Sequence, residues 1–153
     1  MSSHLENPVM AGLGRRLAAA AYDLLLVLGL LVLGSAAVTL PVGLILGPVA
    51  SENLGNNPLF IGWLALIPAV FFIGFWLRGG QTLGMRAWRI RLISSDGAPI
   101  TFRQAVIRYL SAILSWALLG LGFLWSLPDP ERRTWHDRLS KTRLIVLEKK
   151  EPL

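Results

Sequence analysis

Between Leu17 and Leu77 the chain carries no lysine or arginine, and its only acids are Asp23 and Glu52. A chain of 153 residues has too little interior to hide a stretch that apolar from water. The composition agrees: 54% of residues are hydrophobic and 16% are charged, against about a quarter charged in an ordinary soluble domain. The expected class is a single integral membrane domain over residues 1–153. A net charge of +6 would by itself admit nucleic acid. The hydropathy instead directs that charge to the anionic headgroups of a bilayer, and no nucleic acid partner is expected. There is no cysteine, which excludes a disulfide framework, a thiolate metal site and a cysteine nucleophile. His4 and His136 lie too far apart to form a ligand-spaced pair, so no metal is expected either.

The apolar window divides at Pro48–Pro58, a polar, turn-rich stretch. Residues 17–46 before it and 59–77 after it each approach or exceed the ~20 residues that cross a hydrocarbon core. The first is too long for the core of a signal peptide and has no small-residue cleavage pattern. Pro41 should kink or end that first helix. Trp63 and Trp76, near the two ends of the second, read as interfacial anchors. Gly43 and Gly47 form a GxxxG pair that would let helices approach closely, although that motif is common by chance in glycine-rich apolar helices.

A third apolar segment covers residues 102–127, with no charge from Tyr109 to Leu127. Thr101-Phe102-Arg103-Gln104 is a capping-box pattern that starts a helix, and Gly120-Leu121-Gly122 interrupts it. Six arginines lie from Arg78 to Arg108 against the single acid Asp96, and the tail carries Arg132, Arg133, Arg138, Lys141, Arg143, Lys149 and Lys150. Both basic regions favour the cytoplasm, yet a complete third span would separate them. A broken or re-entrant third segment, turning near Gly120–Gly122, removes the conflict; a plain third span with an external tail is the alternative. Trp88, Ile90 and Leu92 alternate with Arg89 and Arg91 as in a half-buried strand, followed by a Ser95-Asp96-Gly97 turn. Leu144–Leu147 is a second strand candidate, able to pair with the first only if both lie on one side of the membrane. Asp129 and Pro130 mark the start of a short interfacial helix over residues 130–140, with Trp135 and Leu139 facing lipid. The expected fold is therefore an all-α membrane protein with two full transmembrane helices, a third broken or re-entrant helical segment, and a small cytoplasmic β-hairpin.

Asp23 is the most informative residue, because an ionised carboxylate at the centre of a span costs ~2.5–3.5 kcal/mol. Arg16, seven residues earlier, shares its helix face but lies about 10 Å away along the axis, too far for direct contact. Arg108, at the start of the third segment, is the expected partner. Asp23 then serves as a structural lock between helices, handles an ion or proton, or sits exposed at the interface. Asp137 has Arg133 four residues before it and Lys141 four after, the spacing of ordinary surface ion pairs. His136 titrates near neutrality in water and is either inert at the interface or a proton relay. Gly80-Gln81-Thr82-Leu83-Gly84 lacks the lysine of a phosphate-binding loop, and no catalytic signature is present, so neither an enzyme nor a cofactor is expected.

Arg15-Arg16-Leu17 with Asp23, Gly80–Met85, Asp96–Pro99, Arg108-Tyr109-Leu110, Gly120–Trp125 and Arg132–Leu139 with Thr142 together resemble the RDD family of bacterial membrane proteins. The resemblance covers about residues 10–147. The arginine and two aspartates of the family name fall on Arg16, Asp23 and Asp137, with Arg15 as the alternative for the first. Met85 departs from the lysine of many members, with Arg86 beside it as a substitute. The resemblance implies a multi-pass inner-membrane protein for which ligand transport has been suggested, with cation/proton antiport attributed to some members. If the third segment folds back, Asp137 would pair with Arg16 and Asp23 with Arg108 at the cytoplasmic mouth of a small bundle. Proton or small-cation competition for those carboxylates would then drive transport by a parallel homo-oligomer, since two and a half spans cannot enclose a pathway alone. The rival reading is a membrane scaffold or accessory subunit whose arginine-rich face binds lipid headgroups or a partner protein.

Overall fold

The computed structural model describes residues 9–147; His4, Lys149 and Lys150 lie outside them. The protein is mostly helical, with two long apolar helices and a two-stranded antiparallel sheet. Its elements are α1 (Leu13–Leu46), α2 (Pro48–Glu52), α3 (Pro58–Gly79), α4 (Leu83–Ala87), β1 (Ile90–Ser94), α5 (Phe102–Ala117), α6 (Leu121–Leu124), α7 (Trp135–Leu139) and β2 (Thr142–Val146). The chain divides into two compact units. One is Leu24–Phe71; the other combines the residues up to Asp23 with those from Phe72 onward.

In the Leu24–Phe71 unit, α1 runs through Pro41 without ending there. It stops at Leu46 because Gly47 adopts φ +88 and opens α2. Pro48–Pro58 is thus not a plain turn: it holds α2 and a short 3₁₀ turn over Asn53–Asn56. Gly43 and Gly47 do not lie within one continuous helix. Gly47 lies beyond the end of α1, and a side chain at Gly43 would meet Ser51 of the same chain. Within the chain, Gly34 is closely packed: its carbonyl accepts from Trp63 Nε1 at 3.0 Å, and Ile67 packs against its Cα. Most of this unit's large apolar side chains point outward, Leu44 being 87% exposed and Leu59 83%.

The other unit is organised around the sheet. β1 and β2 pair antiparallel with Leu92 opposite Leu144, which places the residues before α5 and those after α7 side by side. The free edge of β2 is covered by the segment before α1: Ala11 N donates to Leu144 O at 2.9 Å, and Val146 N to Val9 O at 2.8 Å. Ile90, Leu92 and Leu144 form the core with Ala11, Ala19, Trp76, Met85, Ile100 and Ala105. Trp76 is therefore a core residue and not an interfacial anchor. Trp88 precedes the strand as the C-cap of α4, and the alternation fails at Ile93, which is buried although it is in phase with the exposed Arg91. Ser94 Oγ accepts from Gln104 Nε2 at 2.9 Å, so the start of α5 covers that end of the strand.

Side-chain capping sets the helix starts. Thr101 and Gln104 form a complete capping box on α5. The helix expected from Pro130 begins only at Trp135. Asp129 spends its side chain on Arg133 N and Arg138 Nη2, while Thr134 and Asp137 form the capping box that nucleates α7. α5 ends where Leu119 and Gly120 take φ 55 and φ 78, reversing the chain into α6. The third apolar segment is thus broken within residues 118–120. At 16 residues α5 is about 24 Å long, short of a hydrocarbon core.

Gly80 has φ +69, and its Cα lies against the Leu92 carbonyl that the sheet presents. Gly80→Ala adds left-handed strain of ~1–3 kcal/mol to a steric overlap with that backbone. Thermal unfolding in detergent should show a clear drop in Tm for Gly80→Ala. Gly29→Ala, with nothing within 4 Å of the new methyl, should be neutral or stabilising.

Candidate functional site

Three chain segments meet on one carboxylate. Asp137 is fully buried at the third position of α7, held there by its capping box. Its Oδ2 accepts from Arg16 Nη1 of α1 at 2.5 Å and from Thr134 N at 3.1 Å; its Oδ1 accepts from Arg108 Nη1 of α5 at 2.5 Å. Arg16 also donates from Nε to Ala11 O at 2.8 Å and from Nη2 to Arg132 O at 3.0 Å. Arg108 donates to Thr142 Oγ1 at 2.8 Å, and its guanidinium lies 5.4 Å from the centre of the Trp76 ring. Two guanidiniums against one carboxylate leave a net positive charge in the interior. The carbonyls, the Thr142 hydroxyl and the Trp76 π-face offset it.

Burial alone would raise the Asp137 pKa, but the charges of Arg108 and Arg16 outweigh it and hold the carboxyl well below the usual carboxylate range. The expected surface pairs of Asp137 do not form. Arg133 reaches Asp129 and Glu131 instead, because Asp137 faces inward. His136 is not interfacial either. It is buried, with its ring edge-on to Phe123 at 4.7 Å. Burial, reinforced by the nearby Arg108 charge, pushes its imidazole down to about 3, so it is neutral at physiological pH.

Asp23 stands apart from this cluster, and Arg108 does not reach it. A single carboxylate has taken both arginines, and Asp23 is satisfied by neutral donors. Thr82 Oγ1 donates to its Oδ2 at 2.5 Å and Gly84 N to its Oδ1 at 2.8 Å, while Thr82 Oγ1 itself accepts from Met85 N at 3.2 Å. Asp23 is buried and has no cationic partner among the described residues. Gly84 makes the approach feasible: a Cβ there would overlap the Ala19 carbonyl and lie 2.9 Å from the Asp23 carboxylate. The Gly80–Gly84 loop, which lacks the lysine of a phosphate cradle, holds a carboxylate of its own chain. The signal was Thr82 at a helix start, where backbone N–H groups lack partners. Met85 is buried in the core, whereas Arg86 is exposed. No group of three metal-ligating side chains occurs among the described residues.

Asp137→Asn leaves two buried guanidiniums facing a neutral amide and should cost about 3–5 kcal/mol, read as a large fall in Tm. His136 adds a pH dependence. Once unfolded it takes up a proton below 6.5, whereas folded it stays neutral down to about 3. Its contribution to stability is therefore complete above about 6.5 and is lost as pH falls through that window. The slope should approach about 1.4 kcal/mol per pH unit, and thermal unfolding between pH 6 and 4.5 should show a flatter slope for His136→Phe. Asp137, with its depressed pKa, adds a loss of the same sign once the pH falls below about 4.

No curated protein and no solved structure matches the chain. A family model described as the RDD family matches residues 10–141, a range that holds both halves of the Arg16–Asp137 contact, the Asp23 loop and Arg108. The chain belongs to the RDD family, of which it is a membrane domain.

Proposed function

We propose that the protein is a multi-pass inner-membrane protein of a bacterium, with the N-terminus and the tail in the cytoplasm. In this reading it exchanges protons for a small cation through Asp23. The carrying observation is the contrast between its two buried carboxylates. Asp137 is neutralised by two guanidiniums, and discharging it would strand them. Among the described residues Asp23 is held by a hydroxyl and a backbone N–H, so it can trade a proton or a small cation without breaking an ion pair.

The membrane placement is supported by an inverted polarity. α5 buries Arg108 and Ser115 while exposing Phe102, Leu110, Ile113, Leu114 and Trp116. That is the reverse of a helix in water and fits a segment that enters lipid and returns. The pairing of β1 with β2, and of β2 with the residues before α1, favours the same topology, because all three then share one side. Transport requires a parallel homo-oligomer in this reading, since two long helices enclose no pathway. Lipid headgroups, a proton and a small cation are the partners proposed; no enzyme activity, cofactor or nucleic acid enters it.

A second reading is a non-transporting scaffold. It is favoured by the exposed Arg86, Arg89, Arg91 and Arg103, which make no ion pair among the described residues and suit anionic headgroups or an acidic partner. Proteoliposome flux separates the two. Asp23→Asn should abolish cation-dependent proton movement while leaving the protein folded, because the amide oxygen still accepts from Gly84 N while its NH2 donates to the Thr82 hydroxyl. Flux equal to that of the unaltered protein would remove Asp23 from the mechanism.

A further inference from the structure

Serine hydroxyls inside helices ordinarily bond back to a carbonyl of the preceding turn. Ser111 of α5 does so onto Ile107 O at 2.6 Å, and Ser126 and Ser140, just past α6 and α7, bond the same way to Phe123 O at 2.8 Å and His136 O at 2.5 Å. Ser115 does not. It is wholly buried in α5, and its Oγ has no hydrogen-bond partner among the described residues. His136 is 3% exposed, and its Nδ1 also lacks a partner. The two groups belong to one junction. The reversal at Gly120 brings Gly122 so close to Ser115 that a Cβ there would overlap its hydroxyl, and that Cβ would lie 3.2 Å from Trp135. The next residue, Phe123, packs against both Trp116 at 5.5 Å and His136 at 4.7 Å. Consecutive residues of α5, α6 and α7 thus interleave around two unsatisfied polar atoms.

We infer that this junction is a buried binding site for one small neutral molecule able both to donate and to accept, namely water, bridging Ser115 Oγ and His136 Nδ1. Such atoms are seldom left unpaired in a native interior, and an internal water is the usual means of pairing them. A cation is disfavoured by the excess guanidinium charge of the neighbouring Arg16–Arg108–Asp137 cluster. An anion would find a hydroxyl and a neutral ring where it needs charge. Gly122 lies against the Ser115 hydroxyl and Phe123 against the His136 ring, so a small ligand suits the junction. The bound water joins α5 to α7 and fixes the ring orientation of His136, next to the clamp residue Asp137. The inference rests on the packing of these three helices and is independent of any transport by Asp23.

Histidine side-chain ¹⁵N NMR on the full chain in micelles tests it, with His4→Gln leaving one histidine to observe. His136 Nδ1 should show a hydrogen-bonded shift with magnetisation transfer from a slowly exchanging water, and Ser115→Ala should move that signal. In thermal unfolding, Ser115→Ala combined with His136→Phe should lower Tm by less than the sum of the single losses. A His136 signal without water transfer and unmoved by Ser115→Ala would overturn the site, and so would strictly additive Tm losses. If His136→Phe does not fold, the comparison of the Ser115→Ala spectrum with that of the parent decides alone.

Discussion

The carboxylate of Asp137, divided between Arg16 and Arg108, is the constraint around which the sheet-bearing unit is arranged. Each guanidinium arrives from a different helix, and each would be prohibitively costly in an apolar interior without its share of that charge. Meeting at one residue fixes the start of α1, the middle of α5 and the whole of the five-residue α7 against each other. So short a helix needs such an anchor, since its own hydrogen bonds could not sustain it. The same aspartate also completes the capping box that Thr134 opens on α7, so the local fold and the long-range contact share one side chain.

Beside its apolar core the chain buries an unusual number of polar groups while turning apolar side chains outward. Arg16, Asp23, Thr82, Arg108, Thr134, Asp137 and Thr142 are buried, while leucines and tryptophans of α1, α3 and α5 face outward. In water that distribution would be unstable. In lipid it is required, because polar groups must find partners within the protein. The two aspartates sit in different environments: Asp137 lies between two guanidiniums, whereas Asp23 is held by the Thr82 hydroxyl and the Gly84 N–H.

The two long helices were legible because an uninterrupted apolar run of that length cannot be buried within so short a chain, and the break in the third segment because Gly120 and Gly122 sit within it. The strands were legible in outline, since Arg89 and Arg91 alternate with apolar residues and Leu144–Val146 is branched and apolar. The Arg16–Asp137 contact was implied by the family resemblance together with a third segment that folds back. The partner of Arg108 was not, because spacing along the chain does not reveal that one carboxylate can serve two guanidiniums. Nor was the Gly80–Gly84 cradle, because half of its hold on Asp23 is a backbone N–H that leaves no residue-type signal. The strand-like pairing of Val9 and Ala11 with β2 involves too few residues to show alternation, and Thr134 outcompeted Asp129 as a helix start because Asp129 is engaged by Arg138.

The central claim is that the start of α1 and the tail carrying Asp137 are held together on one face of the membrane. The chain has no cysteine of its own, so single cysteines at Gly14 and at Glu131, both exposed, can be probed with a membrane-impermeant thiol reagent in intact cells and in inverted vesicles. The account predicts that both positions are labelled in inverted vesicles and neither in intact cells. Labelling of the two from opposite sides would contradict it.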